Sequence, residues 1–105
     1  MQSNRIKVAR KRPGEPWEFA EIENSLEALQ AEVDGYIETV TLFSDASIVV
    51  NEEGIPKGLP FNLNFCGLQL FGTVLLVGVK GDEFCDVPVG DLKFFQKTIG
   101  RDQSG

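Results

Sequence analysis

Gly72-Thr73-Val74-Leu75-Leu76-Val77-Gly78-Val79 limits this chain more than any other stretch. It carries no charge, and its apolar residues fall at odd and even positions alike. A run this short, rich in β-branched side chains and bounded by glycine, has the length of a strand. A strand that is apolar on both sides belongs in the middle of a sheet, with something packed on each face. The rest of the chain must supply its neighbours and its covers.

Arg5-Ile6-Lys7-Val8-Ala9-Arg10 alternates charged and apolar residues, the period of a half-buried strand. Pro13-Gly14-Glu15-Pro16 is a turn by composition, and Trp17 to Ile22 alternates again. The pair reads as a hairpin, with Trp17 clamping its loop against the core. Asn24-Ser25-Leu26-Glu27 predicts a helix start, with Asn24 as the cap and Glu27 returning the bond. Leu26, Leu29 and Val33 recur at helical spacing as its buried stripe. Asp34-Gly35 ends it, with Gly35 suited to the left-handed conformation. Tyr36 to Phe43 is a strand by its β-branched and aromatic content, and Ser47 to Val50 is its antiparallel partner across Ser44-Asp45-Ala46.

Asn51 to Asn62 is dense in carboxylates and turn formers. Gly54 and Gly58 permit unusual backbone angles, and Pro56 and Pro60 fix the chain direction. It reads as an ordered polar loop joining two halves of the domain. Leu63 to Phe71 is apolar but interrupted by Asn64, Gly67 and Gln69, so it reads as a packed loop or irregular edge. Phe84 to Val87 follows the central run as a short strand or an extended lead-in. Pro88 to Ile99 predicts a second helix, with Val89, Leu92, Phe95 and Ile99 along one side. Gly100 stops it, and 101–105 reads as a frayed tail.

The predicted order is β-β-α-β-β-loop-β-(β)-α. The expectation is an α+β fold: a small, mostly antiparallel sheet with two helices packed on one face. The 105 residues suit one domain spanning 1–105, with an ordered core of about 5–100.

Charge is unevenly spread. Five of the ten basic residues, Arg5, Lys7, Arg10, Lys11 and Arg12, stand in the first twelve positions. From Pro13 to Pro56 there is no lysine or arginine, while eleven acids fall in that interval; the net charge is −6. An acidic chain with one basic strand is a poor nucleic-acid binder, because phosphates would be repelled over most of its surface. An acidic face does suit a basic protein partner. No apolar run approaches the roughly 20 residues that span a bilayer, and Met1-Gln2-Ser3-Asn4-Arg5 lacks the apolar core of a signal peptide. The expectation is therefore a cytoplasmic protein without a membrane partner.

The chain has no histidine, which removes the usual general base and excludes Ser-His-Asp and Cys-His catalysis within it. Cys66 and Cys85 each stand alone among hydrophobic residues and read as buried free thiols. Gly54-x-x-x-Gly58 lacks the lysine-serine ending of a phosphate-binding loop. Glu52, Glu53 and Asp45 offer carboxylates for magnesium or acid–base work. Adjacent side chains point apart in an extended chain, however, so Glu52 and Glu53 form no pair by themselves.

Several segments together carry a family resemblance: Ser25-Leu26-Glu27-Ala28-Leu29-Gln30, Val33-Asp34-Gly35-Tyr36-Ile37-Glu38, Asn51-Glu52-Glu53-Gly54, Gly58-Leu59-Pro60 with Asn62, and Gly72-Thr73-Val74 with Val77-Gly78. In this order they resemble the family catalogued as domain of unknown function 3846, whose members are of similar size and occur in phages, plasmids and Gram-positive bacteria. The resemblance covers roughly positions 5 to 99. One departure is Phe61 to Cys66, more apolar than the charged loop of that pattern. It implies a phage or mobile-element setting and supplies no catalytic residue.

The expected function is a small acidic, non-enzymatic binding or regulatory protein, acting on a host protein and serving as a counter-defence inhibitor. The alternative is a small-molecule or nucleotide-binding module built on the Asn51–Asn62 loop. In that version Tyr36, Asn51, Asn62, Asn64 and the Gly54 and Gly58 amides supply a polar pocket with an aromatic wall, and Lys57 or the N-terminal arginines and lysines meet a phosphate. The candidate binding residues are Tyr36, Glu38, Asn51, Glu52, Glu53, Lys57, Asn62 and Asn64, with no catalytic residue, metal ligand or cofactor assigned. Leu63 to Phe71 offers an apolar edge for a homodimer.

Overall fold

The computed structural model describes residues 4–43, 45–65 and 67–88. Its elements run β1 (Arg5–Lys11), β2 (Glu18–Glu23), α1 (Leu26–Val33), β3 (Ile37–Phe43), β4 (Ala46–Asn51), β5 (Phe61–Phe65), β6 (Leu68–Phe71), β7 (Val74–Lys80) and β8 (Glu83–Cys85). Seven-residue β7 lies at the centre of an antiparallel sheet ordered β2-β1-β7-β4-β3, with β8 also paired to β7. Val74, Leu75, Leu76 and Val77 are fully buried, as a strand apolar on both faces requires.

Alternation along each strand sorts side chains into two cores. On one face Ile6, Val8, Ile22, Val49, Leu75 and Val77 pack under Leu29 and Val33 of α1. On the other, Ala9, Ile48, Val50, Val74 and Leu76 pack under Leu63 and Leu70 of the β5–β6 hairpin. Trp17 is half-buried against this second core. Each buried aliphatic side chain contributes about 2 kcal/mol of burial, so the two covers matter comparably.

The two-helix α+β expectation is corrected here. Among the described residues the protein is mostly antiparallel β, with eight strands and one eight-residue helix. The helix lies on one face, and the cover on the other is a β-hairpin built from the segment expected to be a loop or irregular edge. The helix expected over Pro88–Ile99 lies, beyond Pro88, outside the described residues. So does the tail at 101–105.

Two local details also differ. Ser25, not Asn24, caps α1: its Oγ accepts from the Ala28 amide at 3.1 Å. Asn24 instead donates its side-chain amide to the Phe84 carbonyl at 3.0 Å, tying the helix entry to β8. Leu26 is then exposed rather than part of the buried stripe. At the C-terminal end Asp34 takes the left-handed conformation (φ 63°, ψ 46°). Gly35 is required for a different reason: a Cβ there would collide with the Asn51 side-chain amide.

The chain after β8 passes between β1 and the end of β7. Asp86 Oδ1 accepts from the Lys7 amide at 2.8 Å, and the Val87 amide donates to the Lys7 carbonyl at 2.9 Å. The Asp86 carbonyl lies so close to Gly78 that any Cβ would overlap it, which explains a glycine in the middle of the most apolar strand.

Candidate functional site

The β3–β4 hairpin, the turn-rich segment after it and strand β6 enclose a cleft of about 200 Å³. Val40, Val50, Leu70 and Phe71 give it apolar walls, and Ile55 and Leu68 stand at its rim, 68% and 44% exposed. Glu38 and Glu52 line it too, from β3 and from the residue after β4. Ile55 and Leu68 thus leave apolar surface in water beside two carboxylates.

Local chemistry holds this shape. The Glu52 amide donates to the Tyr36 carbonyl at 2.9 Å, continuing the β3–β4 ladder past Asn51. Amides of Lys57, Gly58 and Leu59 donate to the carbonyls of Glu53, Ile55 and Gly54, so residues 53–59 fold into consecutive tight turns. Asn51 is buried and governs the junction. Its amide group donates to the Val33 and Asp34 carbonyls at 3.0 Å each, and its oxygen accepts from the Glu53 amide at 2.6 Å. One side chain thereby satisfies the carbonyls at the end of α1 and orders the loop.

The candidate residues divide. Glu38, Asn51 and Glu52 line the cleft; Tyr36, Glu53, Lys57, Asn62 and Asn64 do not. Tyr36 is 68% exposed just before β3, and Glu53, Lys57 and Asn64 are exposed elsewhere on the loop and hairpin. Asn62 is buried on the hairpin side. Its Oδ1 accepts from Lys11 Nζ at 3.0 Å, and its Nδ2 donates to the Lys11 and Gly72 carbonyls at 2.8 and 2.7 Å. Asn51 and Asn62 therefore work inward, for the fold. The sequence reading missed the apolar half of the cleft, Val40, Ile55, Leu68 and Phe71, and missed the burial of Lys11. The one available signal was Arg10-Lys11-Arg12, where three consecutive cations must place a charge on each face of β1.

The ion pairs explain which acids are left over. Arg10 reaches Glu32 at 2.8 Å and Glu18 at 3.0 Å, Arg12 reaches Glu18 at 3.0 Å, and Arg5 lies 3.9 Å from Glu21. Arginines of the basic N-terminal segment are thus engaged by acids of β2 and α1. Glu38, Glu52 and Glu53 enter no ion pair among the described residues. Cys85 is a half-buried free thiol, and Cys66 lies outside the described residues. Among the described residues no group of three or more Cys, Asp or Glu is placed to hold a metal ion, and no helix is long and apolar enough to cross a membrane.

A helix on one face and a hairpin on the other of an antiparallel sheet, with an acid-flanked cleft at one edge, define a small mostly-β domain. The chain belongs to the family Domain of unknown function (DUF3846), whose pattern it matches over residues 6–100. No curated protein and no solved structure matches it.

Proposed function

We propose that this protein is a non-enzymatic binding protein whose cleft engages a basic protein partner. The observation that carries the reading is the pairing of Glu38 and Glu52, free of ion pairs among the described residues, with the exposed side chains of Ile55 and Leu68 around one cleft. The carboxylates would steer and orient a positively charged surface, and the apolar rim would supply contact area. In the phage or mobile-element setting that the family resemblance implies, the partner is a host protein met in the cytoplasm, and occupying it would be a counter-defence act.

Two quantities weigh against the small-molecule version. Pockets for nucleotide-sized or drug-sized ligands run to roughly 300–1,000 Å³, above the volume here. No lysine or arginine lines the cleft, so a phosphate would face carboxylates alone. Neither Asn64, read from the sequence as part of the polar pocket, nor Lys57, read as a phosphate contact, lines this cleft.

The test is capture from a host lysate by the wild-type protein and by the Glu38→Gln/Glu52→Gln double variant, at about 50 and 500 mM salt, a range over which surface charge attraction is largely screened. The expected partner is held by the wild type at low salt and lost with the double variant. Equal capture by both proteins overturns the reading.

A further inference from the structure

We propose that the outer edge of β3 accepts an extended peptide segment as an added strand, with a lysine or arginine of that segment turned into the cleft toward Glu38 and Glu52. This rests on the binding-protein reading above and names the form of its partner.

The backbone supplies the first argument. β3 closes one end of the sheet, and among the described residues nothing pairs with its outer side. The Glu52 amide donates to the Tyr36 carbonyl. The β3–β4 register runs Ile37↔Asn51, Glu38↔Val50, Thr39↔Val49 and Val40↔Ile48. Bonded and non-bonded pairs alternate along an antiparallel ladder. Tyr36, Glu38 and Val40 therefore turn their amides and carbonyls toward β4, while Ile37, Thr39 and Thr41 turn theirs outward. The register shifts only between Thr41 and Phe43, so Ile37 to Thr41 is a regular open edge. An extended peptide can pair with such an edge through main-chain bonds and take specificity from alternate side chains.

The side chains supply the second. Glu38 and Val40 share the face that lines the cleft. A residue of the added strand opposite Glu38 would project on that face, within the reach of a cross-strand pair, and so would the residue two positions away, opposite Val40. The fitting segment carries a cation at the first position and an apolar side chain at the second, which would rest near Leu68 at the rim.

The opposite edge, β2, is also unpaired on its outer side among the described residues, but its side chains are already engaged. On β2, Glu18 and Glu21 are already paired with arginines, and Lys7 Nζ lies 5.6 Å from the centre of the Phe19 ring. Edges are usually protected by charge, proline or a bulge. β3 between Ile37 and Thr41 has no proline, no cation and a single uncompensated acid. A second copy of the chain would bring another β3 without a cation to set against Glu38, so charge selects a basic foreign segment over self-pairing.

The experiment selects twelve-residue peptides from a random display library on the immobilised protein, then titrates a selected peptide against isotope-labelled protein by NMR. The expected peptides carry Lys or Arg with an apolar residue two positions away. On binding, the amides of Ile37, Thr39 and Thr41 gain protection from exchange. Glu38→Gln should weaken binding by about fivefold, the scale of one cross-strand charge pair. Thr39→Pro should abolish it while leaving the fold intact, because the amide it removes faces outward and proline is tolerated there. Peptides without a basic residue, or binding untouched by Thr39→Pro, overturn the proposal. If binding survives Thr39→Pro yet falls with Glu38→Gln/Glu52→Gln, strand addition is wrong and the cleft reading stands. If no variant matters, both fall. A wild-type dimer that Thr39→Pro dissolves would identify the occupant as a second copy and would also overturn the proposal.

Discussion

Arg10 and Lys11 are neighbours on β1, and the pleat sends them to opposite faces of the same sheet. On the helix face the Arg10 guanidinium meets two carboxylates, Glu32 of α1 and Glu18 of β2. Its hydrogen bond to Glu32 raises its pKa against the effect of burial, and Glu18 adds to the rise. On the hairpin face Lys11 is a buried residue, 2% exposed, and the hydrogen bond of its ammonium among the described residues goes to a neutral amide oxygen, that of Asn62. Burial lowers its pKa, and the charge of Glu15 only partly opposes this. One face has an ion-pair network at its margin; the other has a cation in its interior held by a neutral partner. Since desolvating a charge without a hydrogen-bonded counter-charge is costly, the hairpin side bears a desolvation cost that the helix side offsets with ion pairs.

The largest effect should come from removing the neutral partner. Asn62→Ala takes away the oxygen that meets Lys11 and the amide that meets two buried carbonyls. Stranding a buried charge and two acceptors should cost about 3 kcal/mol, read as a lower urea midpoint with an unchanged slope. A loss under about 1 kcal/mol would mean that Asn62 is dispensable to the hairpin contact and that the contrast between the faces is shallow.

Arg10→Met comes next. It leaves Glu32 and Glu18 without their shared cation at a partly exposed site, where solvent replaces much of what is lost, so about 1–2 kcal/mol is expected. Its distinguishing mark is salt. The wild type should lose part of this advantage between about 0.05 and 0.5 M salt, whereas the Asn62→Ala deficit should hardly move. Equal salt dependence in both variants would erase the distinction.

How far the sequence could anticipate this molecule follows from the same contrast. Gly72–Val79 announced a central strand because its apolar residues fall at odd and even positions alike; the β1–β2 hairpin was legible from local alternation and the β3–β4 hairpin from its β-branched and aromatic content. Lys11 was not. Its burial depends on a hairpin folding back from fifty residues away, and nothing in Arg10-Lys11-Arg12 says which cation will be covered. The β5–β6 hairpin was hidden for a related reason. Asn62, Asn64 and Gln69 look like interruptions in an apolar run, yet the register shifts between Phe61 and Leu63, and among the described apolar side chains of the hairpin only Leu63 and Leu70 are buried. At the cleft, Glu38 and Glu52 were each visible as candidates. Their convergence needed the β3–β4 register and the return of β6. Asn51 was read as a ligand contact because sequence shows an amide's chemistry and conceals which backbone carbonyls require it.

The smallest effect at neutral pH tests the comparison most sharply. Lys11→Met keeps an unbranched chain of similar length and removes the buried charge, at the expense of leaving the Asn62 oxygen without that donor. The two changes offset, so stability at pH 7 should lie within about 1 kcal/mol of wild type. The pH dependence should not be neutral. Because the folded-state pKa of Lys11 is lowered, the unfolded chain holds this proton more tightly than the folded one. The penalty of the buried charge is fully present below the folded pKa. It is relieved as pH rises through that value toward the unfolded value near 10.4, so wild-type stability should gain on the variant across that alkaline window. Paired urea titrations of the two proteins at pH 7 and at steps up to about 10.5 measure the difference directly. A difference that stays flat would show that Lys11 carries no penalty, and one that falls with pH would show that its charge is stabilised in the folded protein, as that of Arg10 is on the other face.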